Sequence, residues 1–351
     1  MCRIALVYAL LLGLCAPTFA APHAPRVSPA TDGIFGAFKT HPLVGLSEWH
    51  GLAQELDFYV ALLRDPRFAA EVGNVVVEVG DASQQAVIDR YVNGEQVPYT
   101  ELRNVWSDTV GAVSTVVFAG SINIYSTIRE VNAKLPPDKR IKVWLGDPPI
   151  DWTAIKTRED FNPLLNQRDS YPAELVNREI LAKNKKALLI YGGGHFGIFP
   201  DSSPNLRSML DASHPGALFV VSTYVGYAQK DCAARFERHI KDWAVPSLAE
   251  PIRGSALEAD IWRPGCNPQT RPPDMKDEFF ETSGRNYLGL TSDALLYLGP
   301  RKSLVYGPRA LDIILDLNYR AEINRRMIIK FGKPMGPPNT ANNVPQPFFN
   351  D

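Results

Sequence analysis

Six short apolar runs bounded by turn residues stand out along the chain: PLVGLS (42–47), NVVVEVG (74–80), IKVWLGD (141–147), KKALLIYG (185–192), GALFVVSTYV (216–225) and DALLYLG (293–299). Their length and β-branched content predict strands. Between them lie stretches with apolar residues at helical spacing: ELDFYVALLRD (55–65), SQQAVIDRYVNG (83–94), the run 118–135 and PAELVNREILAKN (172–184). A last helical pattern, LNYRAEINRRMII, covers 317–329. Strands that are apolar throughout, rather than alternating, belong to sheets buried on both faces. The expected fold class is therefore α/β, with a mostly parallel central sheet, helices on both faces and a long loop-rich excursion.

The segments that lack this patterning set the expected domain organisation. Residues 1–20 hold Arg3, an apolar core and small residues at Thr18 and Ala20, the layout of a secretory signal cleaved after Ala20. Residues 21–40, beginning APHAPRVSPATDG, read as a flexible linker, and 41–331 as a single α/β domain. Within it, 245–287 is rich in Pro, Gly and charge and reads as a lid-like excursion. The tail 332–351 reads as disordered.

Removing residues 1–20 takes away Arg3 and no acidic residue, leaving 36 basic against 38 acidic side chains, a balance of −2. Such neutrality supplies no electrostatic footprint for nucleic acid or for an anionic membrane. No later run is apolar enough to span a bilayer, and nothing in the sequence points to a protein partner; a small-molecule substrate or ligand is the partner expected. Two cysteines remain, Cys232 and Cys266, and export to a periplasmic or extracellular compartment predicts a disulfide between them.

The stretch GGGHFG (192–197) matches G-x-G-x-x-G at Gly192, Gly194 and Gly197. A dinucleotide site needs a helix opening at those glycines, so that its amides meet the pyrophosphate. Pro200 and Pro204 deny that helix, and the next strand ends without an acidic residue. No nucleotide cofactor is expected. The glycines instead strip side chains from a strand end and leave His195 at its tip.

Other predicted strands end in the same manner. Glu48 and His50 follow the first, Glu78 closes the second and Asp147 follows Gly146 on the third. Ligands bind open α/β sheets at this carboxyl edge. Glu78 is the most telling, because a carboxylate ending a buried strand requires a partner or a function. Arg168, at the start of the helix before the GGGH strand, reaches the same edge if that helix runs back across the sheet. GLSEW falls short of the nucleophile elbow, since Trp49 stands where the turn needs glycine, so Ser47 reads as structural.

In order and context these motifs resemble a superfamily that holds the erythromycin esterases, the ChaN-like haem-binding proteins and the TIKI/TraB proteins. GLSEWHG is similar to their Gly-Glu-x-His opening, RDSYPAELVNREI to the esterases' Arg-Asp helix and GGGHFG to their closing Gly-x-x-His, over about 150 residues from Val44 to Gly197. The single residue between Glu48 and His50 is closer to the ChaN-like spacing than to that of the esterases.

Two readings then stand side by side. In the first, water attacks an ester or amide: His50 is general base, Glu48 or Glu78 orients it, and Arg168 and His195 stabilise the oxyanion. A divalent zinc or manganese ion held by His50, Glu78, Asp147 and His195 is a variant of this chemistry that the TIKI resemblance favours. The ChaN resemblance implies the second, a periplasmic haem or other ligand binder without catalysis, with His195 or His50 as axial ligand and Trp49 or Tyr191 stacking on the ring.

Overall fold

The computed structural model describes residues 23–111, 117–197, 204–226, 230–261, 292–310, 315–334 and 346–347. Eight strands form the central sheet: β1 (Arg26–Pro29), β2 (Leu43–Glu48), β3 (Asn74–Asp81), β4 (Lys142–Asp147), β5 (Ala187–Gly192), β6 (Leu218–Thr223), β7 (Ser247–Glu250) and β8 (Ala294–Tyr297). Their order across the sheet is β1-β7-β8-β6-β2-β5-β3-β4. The six strands from β8 to β4 run parallel, and they are the six predicted from apolar runs. A short pair, β9 (Val305–Tyr306) and β10 (Gln346–Pro347), lies apart from this sheet.

The helices in chain order are α1 (Ala30–Ala37), α2 (Ala53–Arg64), α3 (Gln85–Val92), α4 (Tyr99–Leu102), α5 (Asn104–Ser107), α6 (Ala119–Asn132), α7 (Arg158–Leu165), α8 (Gln167–Glu179), α9 (Leu206–Ser213), α10 (Lys230–Ile240), α11 (Ala256–Ile261) and α12 (Leu317–Phe331). Successive strand residues point to opposite faces, so each strand feeds two cores. Val44, Val75, Val143, Leu188 and Val221 pack with α1, α2, α3, α6 and α12. Leu43, Val76, Leu189 and Val220 pack with α8 and α9 on the other face, where α10 and α11 continue the layer.

Chain direction explains why the helices divide in this way. After β2 the chain moves toward β4, then turns back through β5 to β6 and β8. Right-handed crossovers made in opposite directions lay their helices on opposite faces. The reversal falls between β2 and β5, which are paired from Leu43↔Ala187 to Glu48↔Gly192. Their connections leave for opposite faces, and a crevice opens at their carboxyl ends.

Three sequence expectations need correction. Residues 26–37 are not a flexible linker: β1 pairs antiparallel with β7, and α1 buries Ile34 and Phe35 against the core. Pro29 hid the strand, yet proline is tolerated on an edge strand such as β1, where one side of the backbone has no partner to serve. Residues 247–261, read as part of a lid, supply β7 and α11 to the sheet and its helical layer, while 262–291 lie outside the described residues. In the tail, Gln346 and Pro347 pair with β9. Cys232 is partly buried beside Phe236 and Trp243, whereas Cys266 and the signal-like segment 1–20 lie outside the described residues. No helix among the described residues is long and apolar enough to cross a membrane.

Candidate active site at the carboxyl edge of the sheet

Every residue predicted for the site lies at the crevice between β2 and β5 or at the neighbouring ends of β3 and β4. Glu78 is the hub. Its Oε2 accepts the Gly192 N–H at 2.6 Å, tying β3 to the end of β5. Its Oε1 accepts from Arg168 Nη2 and lies 3.3 Å from His195 Nε2, while Oε2 lies 3.9 Å from His50 Nε2. Burial works against the Glu78 charge, but His195, His50 and Arg168 outweigh it and hold the carboxyl well below its usual range.

Arg168 sits in the first turn of α8, which runs back from the carboxyl edge as the crossover rule requires. Its guanidinium reaches both Glu78 and Asp147 (Nε to Oδ1, 3.4 Å) and touches His195 at 3.4 Å. The flat group lies so close to Gly111 that a Cβ there would stand 2.5 Å from Nη2. Asp147 also accepts the backbone N–H groups of Val110 and Gly111. Burial pushes its carboxyl up to about 7 against the pull of Arg168.

The two imidazoles have different surroundings. His195 is buried, with Nδ1 2.6 Å from Asp169 Oδ1 and its ring edge-on to Tyr191 at 5.4 Å. His50 keeps about a third of its side chain exposed (34%), its Nδ1 3.4 Å from Glu48 Oε1. Desolvation opposes a charge on either ring. The carboxylates prevail: Glu78 and Glu48 raise His50 to about 9, and Glu78 and Asp169 raise His195 to about 9. At neutral pH both rings carry a proton.

Some contributors escaped the sequence reading. Asp169, not counted there among the site residues, is the second partner of His195 and also accepts the Leu206 N–H that opens α9 (2.8 Å). Lys330 comes from α12, more than a hundred residues beyond the rest. It donates to the carbonyls of Val110 (2.9 Å) and Gly111 (2.6 Å), fixing the turn whose N–H groups hold Asp147. Burial and the nearby Arg168 lower its ammonium to about 8. No motif marks Lys330, and the Arg-Asp helix start that holds Asp169 does not show its role, because each role depends on which turns meet in space.

The glycines of GGGHFG also divide differently than their spacing implies. A Cβ on Gly194 would meet open space, whereas one on Gly192 would stand 2.8 Å from His50 Nε2 and 3.1 Å from Glu78 Oε2. The bare position that clears the site is therefore Gly192. Among the described residues, Gly193–His195 form a 3-10 turn at the strand end, and α9 starts at Leu206 behind an Asn205 capping box. Gly192→Ala is expected to cost about tenfold or more in activity by displacing His50, while Gly194→Ala stays within about twofold of the parent. Turnover and melting temperature of the two variants, measured together, check this ranking.

The proposed metal ligands do not fit a divalent ion. Arg168 places a fixed cation between Glu78 and Asp147 and against His195, where the ion would have to sit. Among the described residues no group of three or more His, Cys, Asp or Glu side chains is arranged to hold a metal. Of the residues expected for haem, His50 and Trp49 are partly exposed, while His195 and Tyr191 are badly placed for it. Both nitrogens of His195 face carboxylates, and Tyr191, at 1% exposure, lies in the core rather than along an open wall.

No family model and no curated protein sequence matches the chain. Solved structures resemble it in fold. A succinoglycan biosynthesis protein is similar with a TM-score of 0.51 at 10% identity, over 78% of this chain and 93% of that one. A mutant of the erythromycin esterase EreC, in its open conformation, is similar at 0.45 with 14% identity, over 77% and 94% of the two chains. ChaN of Campylobacter jejuni, solved with cofacial haem, is similar at 0.33 with 12% identity, over 56% and 87%. At 10% identity, the likeness to the succinoglycan biosynthesis protein speaks for the α/β fold alone.

Proposed function

We propose that this protein is a hydrolase that attacks an ester or amide of a small or medium-sized organic molecule directly with water. One observation carries the reading: Glu78 is shared by two imidazoles and a guanidinium, and of these rings His50 alone is substantially exposed. A purely structural ion-pair network gains nothing from leaving one histidine open to solvent.

The roles follow from the geometry. Glu48, beside Nδ1, selects the neutral tautomer of His50 with Nδ1 protonated. Nε2 lies 3.9 Å from Glu78, too far for a hydrogen bond, and so is the nitrogen free to take a proton from water. Arg168 and the imidazolium of His195 supply the positive charge that steadies the developing oxyanion. Ser47 is buried at the end of β2, with no base acting on it among its described hydrogen bonds, which supports water rather than a serine as nucleophile. We also propose export, cleavage after Ala20 and a Cys232–Cys266 bridge, on the sequence alone.

The test is a panel of p-nitrophenyl esters and anilides assayed with protein purified from the periplasm, together with its absorbance spectrum. Hydrolysis that survives a chelator, without a Soret band, is the expected result. A Soret band and no hydrolysis of any substrate would replace this reading with haem binding.

A further inference from the structure

Behind the site lies a buried carboxyl that the reaction does not use. Glu55, in the first turn of α2, has no exposed surface. Its Oε2 accepts the backbone N–H of Trp49 at 2.7 Å, and its Oε1 accepts the hydroxyl of Thr223, at the end of β6. Neither donor is charged. A carboxyl buried among neutral donors is costly to keep, and an apolar side chain would serve the core better.

The position of Glu55 on its helix sharpens the question. In a capping box the third helical residue reaches back to the N–H of the N-cap. Glu55 is that residue, yet it passes over the N-cap, Leu52, and binds Trp49 three positions earlier. The bond is therefore spent on the loop rather than on the helix. Trp49 stands between Glu48 and His50, and its carbonyl accepts the Leu52 N–H at 2.9 Å. Just beyond, Gly51 has a φ of +90° and is packed beneath the Phe118 ring, so the segment cannot relax in that direction. Ser47 pairs with Ser222 one residue before Glu48 and Thr223, so Glu55 bridges two adjacent strand ends where the ladder stops.

We infer that Glu55 is a positioning residue for this site: by holding the Trp49 N–H and the Thr223 hydroxyl together, it aims His50 into the gap between Glu48 and Glu78. This rests on the functional reading above only where catalysis is measured. The aim of the ring is a separate property. With Glu55 removed, the loop loses its anchor and His50 swings toward water, away from the carboxylates that keep it protonated. Its titration then moves down toward that of a solvated imidazole. Glutamine preserves the anchor, because its amide oxygen takes the Trp49 N–H while the Thr223 hydroxyl turns to accept from its NH2.

The experiment is a pH titration of the His50 ring by NMR in full-length, histidine-labelled protein, alongside ester hydrolysis. Glu55→Ala is expected to lower the His50 midpoint by at least about one pH unit. It should cut kcat about tenfold and leave KM within about twofold. Glu55→Gln should restore both. Thr223→Val, which removes only the second anchor, should shift His50 in the same direction by less, and it serves if Glu55→Ala does not fold. A Glu55→Ala protein that melts earlier while His50 titrates as in the parent overturns the inference and leaves Glu55 a core residue. A shifted His50 midpoint with no ester turned over by any form upholds the positioning role and sinks the hydrolase reading instead.

Discussion

Replacing Glu78 by glutamine is expected to lower turnover at least about a hundredfold and to weaken the fold by about 2 kcal/mol at neutral pH. The shape survives, since an amide fits where the carboxylate was. What is lost is a charge that three cations share. Removing one partner of a buried pair leaves the other uncompensated, typically at a cost of about 3–5 kcal/mol. Here the loss is smaller because Arg168 keeps Asp147 and His195 keeps Asp169.

The pH dependence of stability gives the sharper check. Glu78 is held below its ordinary value of 4.5, so its contribution is present above that value and disappears as pH falls through the lowered pKa. His50 and His195 are raised from 6.5 to about 9. Their contribution is complete below 6.5 and is lost as pH climbs toward 9. The parent protein should therefore lose stability steadily from pH 6.5 to 9, and Glu78→Gln should flatten that slope because both rings return toward their ordinary values. Denaturant unfolding at several pH values measures both. An unchanged slope in the variant would show that Glu78 does not hold the two protons.

The parallel part of the fold was legible because a strand buried on both faces must be apolar throughout, and six segments had that property. β1 and β7 were not legible. Each is four residues long and edged by proline, and their pairing joins segments more than two hundred residues apart. The site was legible to a similar depth. A rule about strand ends picks out Glu48, His50, Glu78, Asp147 and His195, because chemistry placed at the carboxyl edge is visible one strand at a time. Asp169 and Glu55 depend instead on which helix start faces which strand end. Gly192 and Gly194 are equivalent in the motif, yet the β2–β5 register sets only Gly192 against His50 and Glu78. Metal binding turns on fit in the same way: Arg168 already lies between Glu78 and Asp147 and against His195, among the predicted ligands.

Removing the imidazole at position 50 is the most direct test of the reaction. His50→Ala is expected to lose about 10²- to 10⁴-fold in turnover, the usual share of a general base. It should still fold, at a somewhat lower melting temperature because Glu78 loses one of its cations, since the side chain is one-third exposed. The parent's pH–rate profile carries the more specific claim. With His50 raised to about 9, about one ring in a hundred is neutral at pH 7, so kcat/KM should climb about tenfold per pH unit and level off near 9. The residual activity of His50→Ala should lack that limb altogether. In Glu78→Gln the limb should move to lower pH, because the Coulombic pull that holds the proton on His50 is gone. A parent profile that is flat from pH 6.5 upward would mean the base is not held between two carboxylates. A profile that falls above pH 9 would make His50 the acid that protonates the leaving group, with water activated elsewhere in the cluster.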